Sequence, residues 1–481
     1  MESKMNRRHF LRAAAMAATG TALAACAAPT PQVVEKVVTQ VVEKSVEKQV
    51  VQTQVVEKQV TQVVEKMITA TPPPAKVINL RFSSVNWGGW LSEPWKAIIK
   101  KFNESQNAIQ IPKGYEDVAE GYQKVMAQAA GTVAADIYMF ENKFMQSFGA
   151  LGFFVPLDDL VKMSTIIKKE KYFASDWDES FFKGKQLLVP FDNSPSVIWY
   201  NKDIFEKAGV AYPPKKVGDW DWVQFLETSR KLTKGEGAQK VYGWGGERGW
   251  VYSLPWIWSN GGWFLNENKT KCVVDSPEAT EALKWAADLI IKEKVQPMAA
   301  EMIQGGTSAM FYANRAAMAQ KGTWWAIDLK AQKGLRWNVA PMPKGKAGSF
   351  ARNPCDAWGI WTGSPNKQAA WKFIEFLSTD ESLTTLTNVG LSVSNKQIMT
   401  NVFAKQEPKD VDWTVFSDTL DGHVRQHPDT AIFQQMNDMV VPLWDKVLEG
   451  KMTVAEYTKT VADSTNKLLK DCQGQGECPT A

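Results

Sequence analysis

Histidine is scarce in this chain. Of three, His9 lies in an export-type leader, which leaves His423 and His427. They stand four apart, so one helical face can present both. But Gly422 and Pro428 flank them and no HExxH pattern accompanies them. They read as surface or capping side chains, and neither a metal nor an acid–base centre is expected. No Gly-rich phosphate loop and no G-x-S-x-G elbow occurs. Carboxyl neighbours such as Asp158 and Asp159 are commonplace among 52 acidic residues, so they single out no glycosidase pair. The expectation is no enzyme: no catalytic residue, no cofactor and no metal.

Charge of one sign is also missing. The formal net charge is +4, and residues 1–25 supply most of it through Lys4, Arg7, Arg8 and Arg12 against Glu2. The remainder of the chain is close to neutral, which argues against a nucleic-acid partner. Only five cysteines occur. Cys26 directly follows the leader, and Cys272, Cys355, Cys472 and Cys478 allow three pairings in an exported protein. Cys472 and Cys478 can close a small tail loop; their spacing is no zinc signature. No apolar run is long enough for a membrane helix.

The N-terminus carries the first positive signal. Arg7 and Arg8 before Phe10 and Leu11 read as a twin-arginine export signal, followed by the Ala-rich stretch 13–25. Leu23-Ala24-Ala25-Cys26 resembles a bacterial lipobox, in which Cys26 is lipidated and becomes the mature N-terminus. Residues 31–76 repeat VVEK and VVTQ variants without Gly or aromatics and end at Pro72-Pro73-Pro74, so they build no core. They read as a stalk at 26–76, with a self-associating helical stalk as the alternative. The product is expected on the cell surface or periplasmic face, tethered by Cys26.

From residue 77 strands alternate with helices. Strands are expected at 77–85, 109–115 and 136–140, and helices at 93–105, with Ser92 as cap, and 118–130, which indicates βαβ units around a parallel sheet. Further on, Asp219 or Asp221 caps a helix to Lys231, and Ser276-Pro277 opens one to Lys292. A strand over 317–321 leads to Gly322, and 337–341 is another. Helices are expected at 412–420, 433–448 and 454–469. At ~150 residues per domain the length allows about three domains before the leader and stalk are set aside.

The organising stretch is LLVPFDNSPSVIWYNKDIFEKAGV, 187–210. A strand stops at Pro190, the chain crosses, a strand of Val197, Ile198, Trp199 and Tyr200 comes next, and Asn201 caps a helix closed by Gly209. Within it VIWYNKDIFEKAGV resembles the signature of the family 1 extracellular solute-binding proteins, the sugar-binding relatives of maltose-binding protein. RAAMAQKGTWWAIDL (315–329) and SPNKQAAWKFIEFLST (364–379) resemble two later family segments, in the same order. The resemblance covers roughly 77–395. It implies an α/β, two-lobed periplasmic-binding-protein type II fold with hinged lobes, preceded by the low-complexity stalk. The lobes fall at 77–191 plus 357–400 and at 192–356 plus 401–481. It also implies a receptor of an ABC importer: a small-molecule sugar ligand, membrane permease subunits as partners, the membrane reached through the N-terminal lipid, and a monomer. A polyol, glycerol-phosphate or peptide-like solute is the alternative, and an exported glycoside hydrolase a further one.

Tryptophan supports that direction. There are 21, none before Trp87. Several occupy Gly-rich turns after strands, where open α/β sheets bind ligands: Trp87, Trp90, Trp244, Trp250, Trp324 and Trp325. A flat indole covers the C–H face of a sugar ring while polar side chains bond its hydroxyl rim. The resemblance carries ligand groups to Asn86, Trp87 and Trp90, to Glu141, Asn142 and Lys143, to Asp192, Asn193 and Ser194, to Glu247, Arg248 and Trp250, to Trp324, and to Arg352 and Asp356. It leaves the sugar unidentified.

Overall fold

The computed structural model describes residues 76–85, 92–118 and 121–478. The export leader, the lipobox with Cys26, the stalk, and the turn holding Asn86, Trp87 and Trp90 lie outside the described residues. The elements that position the site are β1 (Phe82–Val85), α1 (Ser92–Ser105), β2 (Tyr115–Val118), α2 (Tyr122–Ala130), β3 (Ile137–Glu141), β4 (Val189–Pro190), β5 (Val197–Asn201), α3 (Lys202–Ala208), β6 (Tyr242–Trp244), α4 (Pro277–Ile291), β7 (Ala316–Lys321), β8 (Trp337–Ala340), β9 (Asp356–Ile360), α5 (Lys367–Leu377), α6 (Asp380–Asn388), α7 (Phe433–Leu448) and α8 (Val454–Gly474).

They form two sheets. The first runs β2-β1-β3-β9-β4, with β1 parallel to β2 and β3, and β9 antiparallel to β3 and β4. The second runs β6-β7-β5-β8, with β5 antiparallel to both neighbours. The chain thus leaves the first sheet at Pro190, builds the second, and returns at Asp356. All five residues of β5 are buried, because helices and loops cover both faces of this central strand. Trp199 packs on Trp325, Trp337 and Phe416 with ring centroids 5.3–5.6 Å apart.

Local signals explain the helix ends. Asn201 Oδ1 accepts from the Ile204 N–H at 3.2 Å and starts α3, and Gly209 ends it in the left-handed conformation, φ 65°. Ser276 caps α4. Thr453 and Glu456 form a capping box on α8. Asp221, of the two aspartates considered, caps the helix Trp222–Leu232. In α1 the inward stripe is Pro94, Trp95, Ile98, Ile99 and Phe102. Trp95 meets Phe82 and Phe191 edge-on, and Phe191 stacks on Trp358 of β9 at 4.5 Å. The first core therefore reaches the crossing. Cys472 and Cys478 form a disulfide, while Cys272 and Cys355 are buried free thiols.

Three expectations need correction. The strand placed at 109–115 is two short ones: Ile109–Gln110 pairs with Ile78–Asn79, and β2 joins the main sheet. Pro112 and the left-handed Gly114 (φ 68°) turn the chain between them. Trp244, Trp250 and Trp325 are core: Trp244 ends strand β6, and Trp250 and Trp325 are the first residues of helical segments that pack inward. His427 is neither surface nor cap: it is 2 % exposed, beneath Arg352.

Candidate functional site: a cleft beside three crossings

Three crossing segments, residues 191–196, 352–356 and 392–395, are sewn together beside the two sheets. The Phe191 N–H donates to the Asp356 carbonyl at 3.0 Å, the Ser194 N–H to Asn353 Oδ1 at 3.0 Å, and the Ser394 N–H to the Phe191 carbonyl at 2.8 Å. One carboxylate gathers the side chains. Asp176, fully buried, accepts from Asn193 Nδ2 at 2.9 Å and Asn353 Nδ2 at 2.7 Å. Burial pushes its carboxyl up to about 6, although the hydrogen bonds from Asn193 and Asn353 pull the other way.

Beside this seam lies a cavity of about 410 Å³ lined by Glu141, Asp192, Tyr252, Trp324, Arg352 and Asp356, among others. It adjoins a second of about 450 Å³ through Glu141 and Lys143, where Tyr122 and Gln434 stand. Each falls within the roughly 300–1,000 Å³ of small-molecule sites. Antiparallel pairing of β3 with β9 sets Asp356 directly opposite Glu141, so two acidic side chains end the sheet together at the cavity. Glu141 is ion-paired with Lys143. Asp192 Oδ1 accepts the Asp356 N–H at 2.7 Å. Burial, then the Asp356 charge, holds the Asp192 carboxyl well above the usual carboxylate range. Arg352 closes one wall. It is 6 % exposed, lies 4.7 Å from the Tyr252 ring, and donates from Nη1 to His427 Nε2 at 2.7 Å.

The aromatic wall is Trp324, and Gly322 makes room for it. A Cβ on Gly322 would stand 2.1 Å from Ser194 Oγ and 2.9 Å from Trp324 Nε1. Only glycine lets this backbone pass so close to the first crossing while the indole folds back beside it. Behind the indole, Lys321 Nζ lies 5.1 Å from its centroid, and Glu247 neutralises that lysine.

Of the residues singled out in the sequence, the cavity brings together Glu141, Asp192, Trp324 and Asp356, along with Lys143, Ser194 and Arg352. The others fall elsewhere. Asn142 is buried, and its Nδ2 donates to Gln426 at 3.1 Å. Asn193 fastens the crossings. Glu247 stands behind Trp324. Arg248 is partly desolvated, which lowers its pKa, and feels Asp445 and Glu449. Trp250 packs on Phe264 at 4.8 Å and donates to Asn437 Oδ1. Sequence reasoning missed Val251, Tyr252, Pro354 and Leu391. Tyr252 carried a signal, an aromatic in the same Trp-rich run as Trp250; Leu391 has no polar chemistry to mark it. Among the described residues no group of three or more His, Cys, Asp or Glu is disposed to hold a metal, and no helix is long and apolar enough to cross a membrane.

Two sheets joined by adjacent crossings, with a polar and aromatic cavity beside the seam, are the architecture of a two-lobed binding protein. The model of the bacterial extracellular solute-binding protein family matches residues 88–383, and the chain belongs to that family. A putative binding protein of Brucella abortus (strain 2308) is 24 % identical over 393 residues, spanning 80 % of this chain and 89 % of the relative. The lactose-binding protein of Rhizobium radiobacter is 22 % identical over 267 residues, 54 % of this chain and 60 % of its own length. Among solved structures, an ABC substrate-binding protein of Listeria monocytogenes in complex with cycloalternan has a TM-score of 0.73 at 22 % identity, covering 82 % of this chain and all of the other.

Proposed function

We propose that this chain is the extracellular substrate receptor of an ABC importer, that it binds a neutral saccharide in the cleft, and that it hands the sugar to membrane permease subunits. The observation that carries this is the partly buried Trp324 indole sharing one cavity with Glu141, Asp192, Asp356 and Arg352. An indole suits the C–H face of a pyranose; charged hydrogen-bonding groups suit its hydroxyls. The sugars named for the relatives agree with this chemistry. An anionic solute such as a glycerol phosphate fits less well: Lys143 is neutralised by Glu141 and Arg248 lies outside the cavity, which leaves Arg352 to face the anion among the carboxylates of Glu141, Asp192 and Asp356. The lobes are 77–191 plus 357–400 and 192–356 plus 401–481, rotating about the three crossings. Closure around the sugar is driven only by the ligand's preference for the closed form. The chain works as a monomeric receptor, not as a glycosidase, and is tethered outside the cell by a lipid on Cys26 after twin-arginine export.

The test is calorimetric titration with mono- and oligosaccharides, including maltose and lactose. Trp324→Ala is expected to weaken the tightest binder at least ~10-fold, or ~1.4 kcal/mol. Unchanged affinity in that variant removes the site assignment, and release of reducing sugar by the purified protein removes the binding-only role.

A further inference from the structure

A second groove of about 500 Å³ lies beyond the segment 424–428, which forms part of its wall. Ser175 and Glu179 line it on one side, Trp263, Asn266 and Lys269 on another, and it shares no lining residue with the cleft cavities. One pair links the two: Arg352 belongs to the cleft and His427 to the groove, joined by their 2.7 Å hydrogen bond.

That bond defines a donor. A guanidinium only donates, so His427 Nε2 accepts and the ring proton sits on Nδ1. Burial and the Arg352 charge hold His427 well below its usual range, which keeps the ring neutral. Its Nδ1 is buried without a hydrogen-bond partner, in a side chain 2 % exposed. Buried donors in native proteins are normally matched, and the ring that carries this one lines a groove wide enough for a guest.

The same groove holds an indole open to solvent, with the Arg425 guanidinium 5.9 Å from its ring. Trp250, Trp256 and Trp258 of the Trp-rich run are buried, but Trp263 is 41 % exposed, the one described tryptophan more than a third open to solvent. The cations nearby are occupied: Lys269 Nζ sits on the buried Asp429, and the Arg425 guanidinium lies 4.2 Å from the Phe350 ring. Asp178 and Glu267 add negative charge at the edge. An anion is therefore unwelcome. The Asn266 amide and the Ser175 hydroxyl are held by Thr270 and Asp176; an aromatic platform beside a histidine donor suits a flat apolar face with hydroxyls on its rim.

The geometry points to a second binding site, for a neutral saccharide, with Trp263 stacked on a sugar ring and His427 Nδ1–H given to a hydroxyl. It stands apart from the cleft assignment and is separable from it. The experiment is ¹⁹F NMR of the full-length protein labelled with 5-fluorotryptophan, titrated with maltotriose and cellotriose, the Trp263 signal being assigned by Trp263→Phe. The Trp263 signal should move with at least one sugar and saturate at a Kd of order 1–10 mM. That movement should persist in Trp324→Ala. In Trp263→Ala, whose side chain is exposed, the cleft titration should stay within about twofold, which also verifies the fold. His427→Gln should weaken the second site ~10-fold, more than it changes the cleft titration, where it acts only through Arg352. A Trp263 signal that stays still with both sugars at ~50 mM, or that moves only with the cleft and stops in Trp324→Ala, overturns the proposal.

Discussion

Gly322→Ala tests whether the site depends on one close approach. The added Cβ would lie 2.1 Å from Ser194 Oγ, 2.9 Å from Trp324 Nε1 and 3.0 Å from Trp324 Cδ1. Gly322 is not among the residues with positive φ, so backbone strain plays no part and the clash is the whole effect. Relief requires either a new Ser194 rotamer, which breaks the 3.1 Å contact with Thr323 Oγ1, or an indole displaced into the cavity. Overpacking of this kind costs about 1–3 kcal/mol, and a lost hydrogen bond about 1 kcal/mol. A loss of ~2 kcal/mol is expected, divided between stability and affinity; any ~1.4 kcal/mol share in binding is a tenfold rise in Kd. Urea unfolding measures the first share and saccharide titration the second. Ser194→Ala alone should be mild, because Thr323 Oγ1 keeps the Asn193 carbonyl at 3.1 Å and Ser392 Oγ at 2.6 Å. In Ser194→Ala/Gly322→Ala the nearest atom is gone, so about 1–2 kcal/mol should return as a coupling term. The reasoning is refuted if Gly322→Ala matches the parent in both assays, or if the two substitutions merely add.

Asp176 makes stability pH-dependent in the unusual direction. Its carboxyl is raised to about 6 by burial, so between about pH 4 and 6 the folded chain holds a proton that the unfolded chain has released. Stability should fall as pH rises through that window, by up to ~3 kcal/mol for two pKa units. Subtracting the urea-midpoint profile of Asp176→Asn should isolate the slope; parallel profiles would reject it. Cys26→Ser should abolish incorporation of labelled palmitate and release the protein from the membrane fraction, and label retained on that variant would disprove the lipid anchor.

Much of the scaffold was legible because its signals act over a few residues. A cap is a side chain within hydrogen-bond reach of the next turn, so Asn201, Ser276 and the choice between Asp219 and Asp221 were visible or nearly so. The half-cystines 472 and 478 are close enough along the chain to suggest their own loop. The 187–210 stretch announced a crossing through Pro190 and the change from strand to strand to helix. The cavity was legible only in part. Trp324 was singled out by the Gly-x-Trp segment that the family resemblance carries and by its turn after a strand. Trp250 and Tyr252 lie two apart on one short turn, and their composition offers no means of telling which faces the core. Phe264 and Asn437 decide it, from residues 14 and 187 positions away.

What the chain determined by itself was therefore the order of its elements, their capped ends, the tail loop and the family to which the crossing belongs. These arise from backbone sterics and hydrogen bonds between near neighbours. Only the tertiary structure could set Asp356 opposite Glu141, bury Asp192 beside it, and seat His427 under Arg352. Such facts depend on which distant segments exclude water from which side chain, and burial is a property of the packed neighbours, not of the residue.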